Sequence, residues 1–412
     1  MINNALKKNT KKTNSKTNVI DKIGHVNNID TVKVTLKHLS KKPNYSSNTR
    51  IFAKDVYMYY YGKRSTFQDG GQIDKFNLLK RISNYWLLSK KLELLRNDEC
   101  LEKKTFNGES GYTIRNIINL EKKFGSKSKY GAIYLTSVSA YDNKFPIASK
   151  IMKYNYSNIN EVNIMINITK ELILKGLSKH FLMIYRYCYC SKIIDDRLKL
   201  ISINELADGD LKMLVSNRKV IKDDELMLNI LFQTFISIAT FHNIAGYVHR
   251  DTHYGNFLYQ QNNEIGYYHY TFNGKDYYLK SCKYNIMIYD YGFAKEINNE
   301  VDDKEFLKKQ DYYIYIDYYK ILHAFINKKK GGWITCANLP NITEIILSIS
   351  AMLYKNIYTE LYSKNNKYDK LPYSNRFFSN IVNNIFLKYG PADMFITRRP
   401  PNIINKTPFI IG

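Results

Sequence analysis

The residues best suited to chemistry lie in one short stretch that follows a long apolar segment. His249, Arg250 and Asp251 are consecutive, and Asn256 follows Asp251 after four intervening residues. Phosphoryl transfer to a hydroxyl group needs a carboxylate beside the attacking oxygen and oxygen ligands for a magnesium ion. A short loop between a long helix and a strand can present both side chains to one site. The alternative is a polar surface turn, and the position directly behind an apolar helix argues against it.

A second group of residues ends an apolar run. Ile286–Tyr289 reads as a buried strand, and it delivers Asp290, then the aromatic Tyr291, then Gly292. This triplet resembles the D-F-G magnesium motif of kinases, with tyrosine in place of phenylalanine, a substitution that keeps the aromatic ring. Alone this triplet is a weak signal, but it follows the first motif and strengthens it.

Together these motifs resemble those of the protein-kinase-like superfamily. Within that superfamily, the chain looks similar to kinases of large DNA viruses. The resemblance covers residues 117 to 327. It implies a bilobal α+β fold that binds ATP and Mg²⁺, with Asp251 as catalytic base and with Asn256 and Asp290 as metal ligands. It further implies transfer of the γ-phosphoryl group to a protein, most simply at serine or threonine.

Upstream, residues 145–152 resemble the kinase strand that carries a lysine for the α- and β-phosphates, and they nominate Lys150. Burial of an unpaired ammonium is costly, so a carboxylate is expected nearby. Glu161 lies on a helical face with apolar residues and is favoured as this partner, while Glu171 also fits the spacing of the family. For either glutamate, a solvated charge on a helix is the alternative.

Two further segments complete the resemblance. The phosphate-covering loop matches the glycine pattern only at Gly131, with Ile133 behind it, because Ser126 and Ser128 stand at the first two glycine positions. The strand that ends near residue 205 runs into a glycine-containing turn, where the backbone of Glu205 and Ala207 is expected to hold adenine. Alone, these segments would be an ordinary hairpin and an ordinary strand with a turn.

The chain also departs from the family pattern. His253 stands two residues after Asp251, where protein kinases acting on serine or threonine usually have lysine, and the form D-x-H-x-G-N looks like that of small-molecule phosphotransferases. His253 is therefore expected to touch the γ-phosphate, with a bond to the loop backbone as the alternative. No A-P-E motif follows Gly292, and that motif anchors a peptide ledge in the family. A small-molecule or lipid kinase and a catalytically inactive scaffold thus remain alternatives.

The segment after Gly292 carries two more expectations. Asp317 resembles the buried aspartate that ties the catalytic loop to the next helix. Residues 291–311 contain no serine or threonine, so Arg250 has no phosphorylated partner of that kind there. Arg250 is instead expected to pair with an acid, and the candidates are Asp302, Asp303 and Glu305.

The periodicity predicts a strand-rich first half and a helix-rich second half, which is the α+β class. Helices are predicted at about 73–95, 158–176, from Asp223 to Phe241, and at 314–327, 342–362 and 375–388. An Asn273-Gly274 pair between aromatic runs predicts a hairpin. The predicted domains are a disordered tail (1–50), a helical extension (51–115), a small lobe (116–204) and a large lobe (205–412) with the hairpin inserted at about 262–284.

Bulk composition limits the partners. The chain has 412 residues, a net charge of +25 and 44% hydrophobic residues. No uninterrupted run of 18 or more apolar residues appears, so no membrane-spanning helix is expected, and the five scattered cysteines suggest no disulfide framework. A soluble intracellular protein is expected, in host cytoplasm or a virion if viral. Nucleic acid is a possible partner only through the basic tail, for which solvated disorder is the favoured interpretation.

Overall fold

The computed structural model describes residues 77–124, 131–139, 145, 147–194, 197–297, 304–322, 325, 342–362 and 373–412. The predicted tail and residues 51–76 of the predicted extension lie outside this part of the chain. Within it the protein is a mixture of sheets and helices, so the predicted α+β class is confirmed.

A seven-stranded antiparallel sheet with the order β1-β2-β3-β4-β5-β7-β6 forms most of the first half. Helix α1 (Leu78–Leu92) precedes it and packs Leu88 and Leu92 against it. The strands are β1 (Glu102–Phe106), β2 (Glu109–Ile114), β3 (Ile118–Phe124), β4 (Gly131–Val138), β5 (Ile147–Lys153), β6 (Ile184–Ile194) and β7 (Arg197–Glu205).

Two parts of this sheet differ from the sequence expectations. Residues 102–114 form the β1–β2 hairpin, whereas the sequence analysis had assigned them to a helical extension; Asn107 and Gly108 make its turn with positive φ. Cys188 and Cys190 are two residues apart on β6, and both are fully buried. Cys190 is, however, bonded to Cys100, a pairing across 90 residues that the sequence analysis did not predict.

Helix α2 (Tyr156–Ile168) lies between β5 and β6 in sequence and continues as a π-helical turn, Thr169–Ile173. Its start is fixed by Asn155, whose side chain accepts a hydrogen bond from the Asn158 backbone N–H. The buried side chains recur at helical spacing, and Glu161 is among them. The helix predicted at 158–176 is thus confirmed, with a start two residues earlier.

The longest apolar segment forms the centre of the second half. After β8 (Gly209–Asp210) and two short helices, α3 (Leu211–Leu214) and α4 (Arg218–Ile221), comes α5 (Asp224–Thr240), followed by a π-helical turn, Phe241–Ala245. Asp223, where the helix was predicted to begin, caps α5, and its side chain accepts a hydrogen bond from the Leu226 backbone N–H. Among the described residues, Asp224–Ala245 is the one stretch long and apolar enough to cross a membrane, but 89% of its apolar window is buried inside the protein. Core packing therefore accounts for its hydrophobicity.

The predicted hairpin is present. Its strands are β11 (Tyr267–Phe272) and β12 (Lys275–Lys280), and Asn273 and Gly274 both have positive φ, as a type I′ turn requires. Strand β15 (Phe395–Ile396) pairs with β12, and β16 (Phe409–Ile410) pairs with β11. Buried aromatic side chains pack one face of the hairpin into the core that it shares with the helices; they are Tyr268, Tyr270, Phe272 and Tyr277.

The second half contains further strands and helices in the described part of the chain. They are β9 (Tyr247–Val248), a 3₁₀ turn (Tyr254–Asn256), β10 (Phe257–Gln261), β13 (Tyr284–Ile288), β14 (Lys295–Glu296), α6 (Lys304–Leu322), α7 (Ile342–Tyr362), α8 (Tyr373–Ile381), a π-helical turn (Val382–Phe386) and α9 (Leu387–Tyr389). The helix predicted at 342–362 is confirmed at those bounds. Helix α6 begins ten residues before the predicted start at 314, because its polar first turns lack the apolar period used to find it.

Candidate active site

Lys150 lies at the centre of a buried charge cluster. Its side chain extends from β5, and its Nζ is 2.7 Å from Oε1 of Glu161 on α2 and 3.4 Å from Oδ1 of Asp290. Of the two glutamates considered from sequence, Glu161 is therefore the one in contact. Glu171 pairs instead with Lys175 on the surface, where 63% of the Glu171 side chain is exposed.

The electrostatics of this cluster follow from burial and from the balance of charges. Burial opposes the Lys150 ammonium, but the negative charges of Glu161 and Asp290 outweigh that effect, so the pKa of Lys150 is raised and the cation persists. Burial also raises the pKa of Glu161, and the attraction of Lys150 only partly offsets this, because Asp290 adds a second negative charge. A single ammonium thus holds two carboxylates from different elements.

The catalytic-loop candidate, residues 249–256, is held by Asp317 on α6. The fully buried carboxylate of Asp317 accepts hydrogen bonds from the backbone N–H groups of His249 and Arg250, each at 2.7 Å. The hydroxyl of Thr252 donates to the Asp317 carbonyl at 2.6 Å. Arg250 has a φ of 71°, a conformation that non-glycine residues adopt only when their surroundings enforce it. The contact expected of Asp317 is therefore present.

Arg250 itself meets aromatic rings. Its guanidinium carbon lies 4.9 Å from the centre of the Tyr313 ring and 5.9 Å from that of Phe306, both on α6. The partners expected from the sequence, Asp302, Asp303 and the side chain of Glu305, lie outside the described residues.

Asp251, His253 and Asn256 converge within this loop. The Asn256 amide nitrogen donates to the Asp251 carbonyl at 2.9 Å and lies 3.5 Å from its carboxylate. The His253 Nε2 is 3.6 Å from the Asp251 Oδ2. About a third of the Asp251 side chain, 34%, is exposed, so it is partly open to solvent.

The orientation of His253 is set by its own loop. Its Nδ1 accepts a hydrogen bond from the Gly255 N–H at 3.0 Å, which leaves the proton of the neutral ring on Nε2, the atom facing Asp251. Burial lowers the pKa of His253 more than the charge of Asp251 raises it, which favours this neutral form. The bond to the loop backbone is thus present, and contact with a phosphate stays a prediction.

Paired strands bring Asp290 to the same place. Strands β10 and β13 are antiparallel, and just beyond them the Tyr289 N–H donates to the Asn256 carbonyl at 2.9 Å. The ring of His249 links both segments: its Nδ1 accepts from the Asp251 N–H and its Nε2 donates to the Tyr289 carbonyl at 2.9 Å. Asp290 has a φ of 64°, so this turn is another strained position.

Gly131 and Ile133 lie on β4, directly beside β5. Ile133 is opposite Lys150 in the strand register, so both side chains share one face of the sheet. A Cβ on Gly131 would approach the Ile151 carbonyl oxygen to 2.7 Å, so close packing of these strands already requires a glycine. The serines of the expected phosphate loop, at 126 and 128, lie outside the described residues.

The segment expected to bind adenine is buried and is held in place by an arginine of helix α1. Ala207 is buried beside Leu182 and Met287, and the Glu205 carboxylate is buried and paired with Arg81 of α1, whose Nε lies 2.7 Å from its Oε1. Sequence reasoning missed Arg81. The signal was available, because Arg81 shares helical spacing with Tyr85, Leu88 and Leu92 and is the charged member of that face.

Sequence reasoning also missed Lys320. Its Nζ donates to the Arg250 carbonyl at 2.5 Å and lies 3.8 Å from Oδ1 of Asp251. The spacing of three residues from Asp317 along α6 could have indicated it, since positions i and i+3 share a helix face.

The side chains present fit a magnesium ion. The Asp290 carboxylate is 36% exposed, and because Asn256 donates through its amide nitrogen, its oxygen is left as a ligand. No group of three histidine, cysteine, aspartate or glutamate side chains in the described part of the chain could hold a metal by itself. Magnesium commonly needs only one or two protein oxygens when phosphates supply others.

Comparisons with known proteins give little beyond this geometry. No protein-family model matches the chain, and no curated protein matches it. Among solved structures it is similar to the crystal structure of a BubR1 kinase domain, with 14% identity and a TM-score of 0.41 over 74% of this chain and 95% of that one. A likeness this distant says nothing about activity or substrate.

Proposed function

We propose that this protein is a kinase-like phosphotransferase that uses Mg²⁺ and ATP to phosphorylate a hydroxyl group, with a protein as the acceptor. The observation that supports it best is the Lys150 ammonium, which contacts Glu161 and Asp290 beside a loop carrying Asp251 and Asn256. An anion-binding cation, two oxygen ligands and an accessible carboxylate are the groups that phosphoryl transfer requires.

Each residue has a role in this proposal. Lys150 binds the α- and β-phosphates, with Glu161 holding its ammonium in place. Asp290 and Asn256 hold the metal ion, which supplies neutralising charge when bound. The backbone at Glu205 and Ala207 holds the adenine, with Gly131 and Ile133 above it.

Asp251 acts on the acceptor. Its carboxylate takes the proton of the acceptor hydroxyl while that oxygen forms a bond to the γ-phosphorus. The bond between the γ-phosphorus and the bridging oxygen breaks, and ADP leaves with the electron pair. His253, held as the neutral Nε2–H tautomer, orients the Asp251 carboxylate or the phosphate beside it.

A small-molecule acceptor is the second candidate, and one contact favours it. The D-x-H-x-G-N segment resembles the motif of small-molecule phosphotransferases. Its histidine, His253, accepts a hydrogen bond from the Gly255 backbone and faces Asp251, so it has a fixed position in the loop. The resemblance to kinases of large DNA viruses and an intracellular location accompany the proposal as predictions.

The test compares the wild type with Asp251→Asn and Asp290→Asn in the presence of labelled ATP and Mg²⁺. Serine- and threonine-containing protein substrates are offered as acceptors. Each variant should lower transfer by about 10²-fold or more, since each loses a base or a metal ligand. Asp98→Asn is the matched control, because Asp98 lies on the surface with 48% of its side chain exposed, and it should keep full activity.

The outcomes separate the candidates. Label on protein that disappears in both variants supports the proposal. Hydrolysis of ATP without labelled protein, lost in the same variants, indicates a small-molecule acceptor. A wild type that binds MgATP without turnover would identify an inactive scaffold, and one that binds no nucleotide would overturn the kinase-like assignment.

A further inference from the structure

Lys320 reaches the site from helix α6, 69 residues after Asp251 in the chain. Its Nζ is 2.5 Å from the Arg250 carbonyl oxygen and 3.8 Å from Oδ1 of Asp251, while 38% of its side chain stays exposed. The ammonium is thus held at the loop by one hydrogen bond, and the Lys320 side chain is partly open to solvent.

The placement of Lys320 is determined by Asp317. Because the two residues are one helical turn apart, the carboxylate that binds the His249 and Arg250 N–H groups delivers the lysine to the same loop. When Asp317 holds the loop, the helix geometry therefore places Lys320 beside Asp251.

Residues 249–256 contain no lysine and a single arginine. His253, two positions after Asp251, accepts the Gly255 N–H at its Nδ1 and turns its Nε2 toward Asp251. Arg250 turns toward the rings of Tyr313 and Phe306. Transfer of a phosphoryl group needs positive charge near the moving phosphoryl oxygens, because negative charge is spread over them in the transition state.

We propose that Lys320 binds the γ-phosphoryl group beside Asp251 and stabilises its charge during transfer, so that a residue of α6 supplies a cation beside the catalytic loop. This inference rests on the phosphotransferase function proposed above. A merely structural lysine would brace the Arg250 carbonyl and would not distinguish a nucleotide with a γ-phosphate from one without.

The experiment therefore measures binding of MgATP and MgADP to the full chain by calorimetry, together with kcat and KM for ATP. Lys320→Met should lower the affinity for MgATP about tenfold and leave that for MgADP unchanged, and it should lower kcat on the order of 10²-fold. Lys320→Arg should recover most of both losses. Lys275→Met, which removes an equal charge from the exposed end of β12, should change neither.

Three results would overturn the inference. They are equal losses of MgATP and MgADP affinity in Lys320→Met, unchanged kcat in that variant, and a lowered melting temperature that Lys320→Arg fails to restore. If the wild type binds nucleotide, any of these three results refutes the proposed role of Lys320 and leaves the proposed phosphotransferase function untouched. A wild type that binds neither nucleotide overturns the proposed function and this inference with it.

Discussion

His253 and Gly255 depend on each other within the candidate loop. The Gly255 N–H fixes the ring of His253, and a Cβ at position 255 would lie 2.9 Å from Cε1 and 3.1 Å from Nδ1 of that ring. The backbone of Gly255 is outside the left-handed region, so its conformation does not require a glycine. The glycine is required because a larger side chain would collide with the His253 ring. This contact explains why histidine and glycine occur together in the segment.

Gly255→Ala should therefore displace the His253 ring and lower kcat about tenfold, because small displacements of groups at a reacting centre are costly. In a His253→Ala background the same substitution should cost nothing further, since the clash is gone. Steady-state kinetics on the four chains measure this coupling, with circular dichroism to confirm folding. Equal losses in both backgrounds would show that the ring is not held by this contact.

Among the elements, α1 connects the N-terminal side of the described chain to the segment expected to hold adenine. Arg81 donates to both oxygens of Glu205 and also to the carbonyls of Lys179 and Phe181. Gln260 of β10 binds the same carboxylate at 3.0 Å. Helix α1, the large sheet and β10 together therefore fix the position of this segment.

Arg81→Met should destabilise the protein by about 3–5 kcal/mol, because it leaves the Glu205 carboxylate buried without a cation. Adding Glu205→Gln should recover part of that loss. Urea unfolding gives the free energies, and MgATP titration should show weaker binding for the single variant. Arg96→Met, at an arginine with 74% of its side chain exposed, is the control and should cost under about 0.5 kcal/mol. Similar costs at both arginines would contradict this account of the ion pair.

On the scale of the whole molecule, a second lysine is buried where no carboxylate contacts it in the described structure. The Lys179 Nζ lies 2.6 Å from the Asn285 side-chain oxygen and 3.5 Å from the centre of the Tyr268 ring. Burial lowers the pKa of Lys179 to about 7, although the charges of Cys282 and Glu264 oppose this and Arg81 adds to it. This pKa is below that of a lysine in the unfolded chain.

Between pH 7 and the ordinary lysine pKa of 10.5, which applies to the unfolded chain, the unfolded state binds more protons at Lys179 than the folded state does. The free energy of unfolding should therefore rise with pH in that range by this contribution. Lys179→Met should remove it, so the stability of the wild type relative to the variant should grow from pH 7 to 9.5 in denaturant titrations. The exposed Lys175→Met should give parallel curves. Parallel curves for Lys179→Met would mean that the buried ammonium keeps its ordinary pKa.

Local patterns predicted much of the architecture and many positions in the site. The capped start of α5, the bounds of α7 and the Asn273-Gly274 turn each depend on residues a few positions apart. The β1–β2 hairpin, the start of α6 and the Cys100–Cys190 bond were not predicted. The start of α6 lacks the apolar period, and the disulfide joins residues 90 positions apart.

By itself the sequence determined which side chains have the chemical groups that the proposed phosphoryl transfer needs, because residue type and short-range spacing are properties of the chain alone. Only the tertiary structure decided that Lys150 contacts Glu161 and Asp290, that Arg81 binds Glu205, and that Lys320 lies beside Asp251. Each of these contacts joins two elements that pack against a common core. Which side chains meet depends on the rotation of a helix and on the register of a strand. Both are fixed by contacts between parts of the chain that are far apart in sequence.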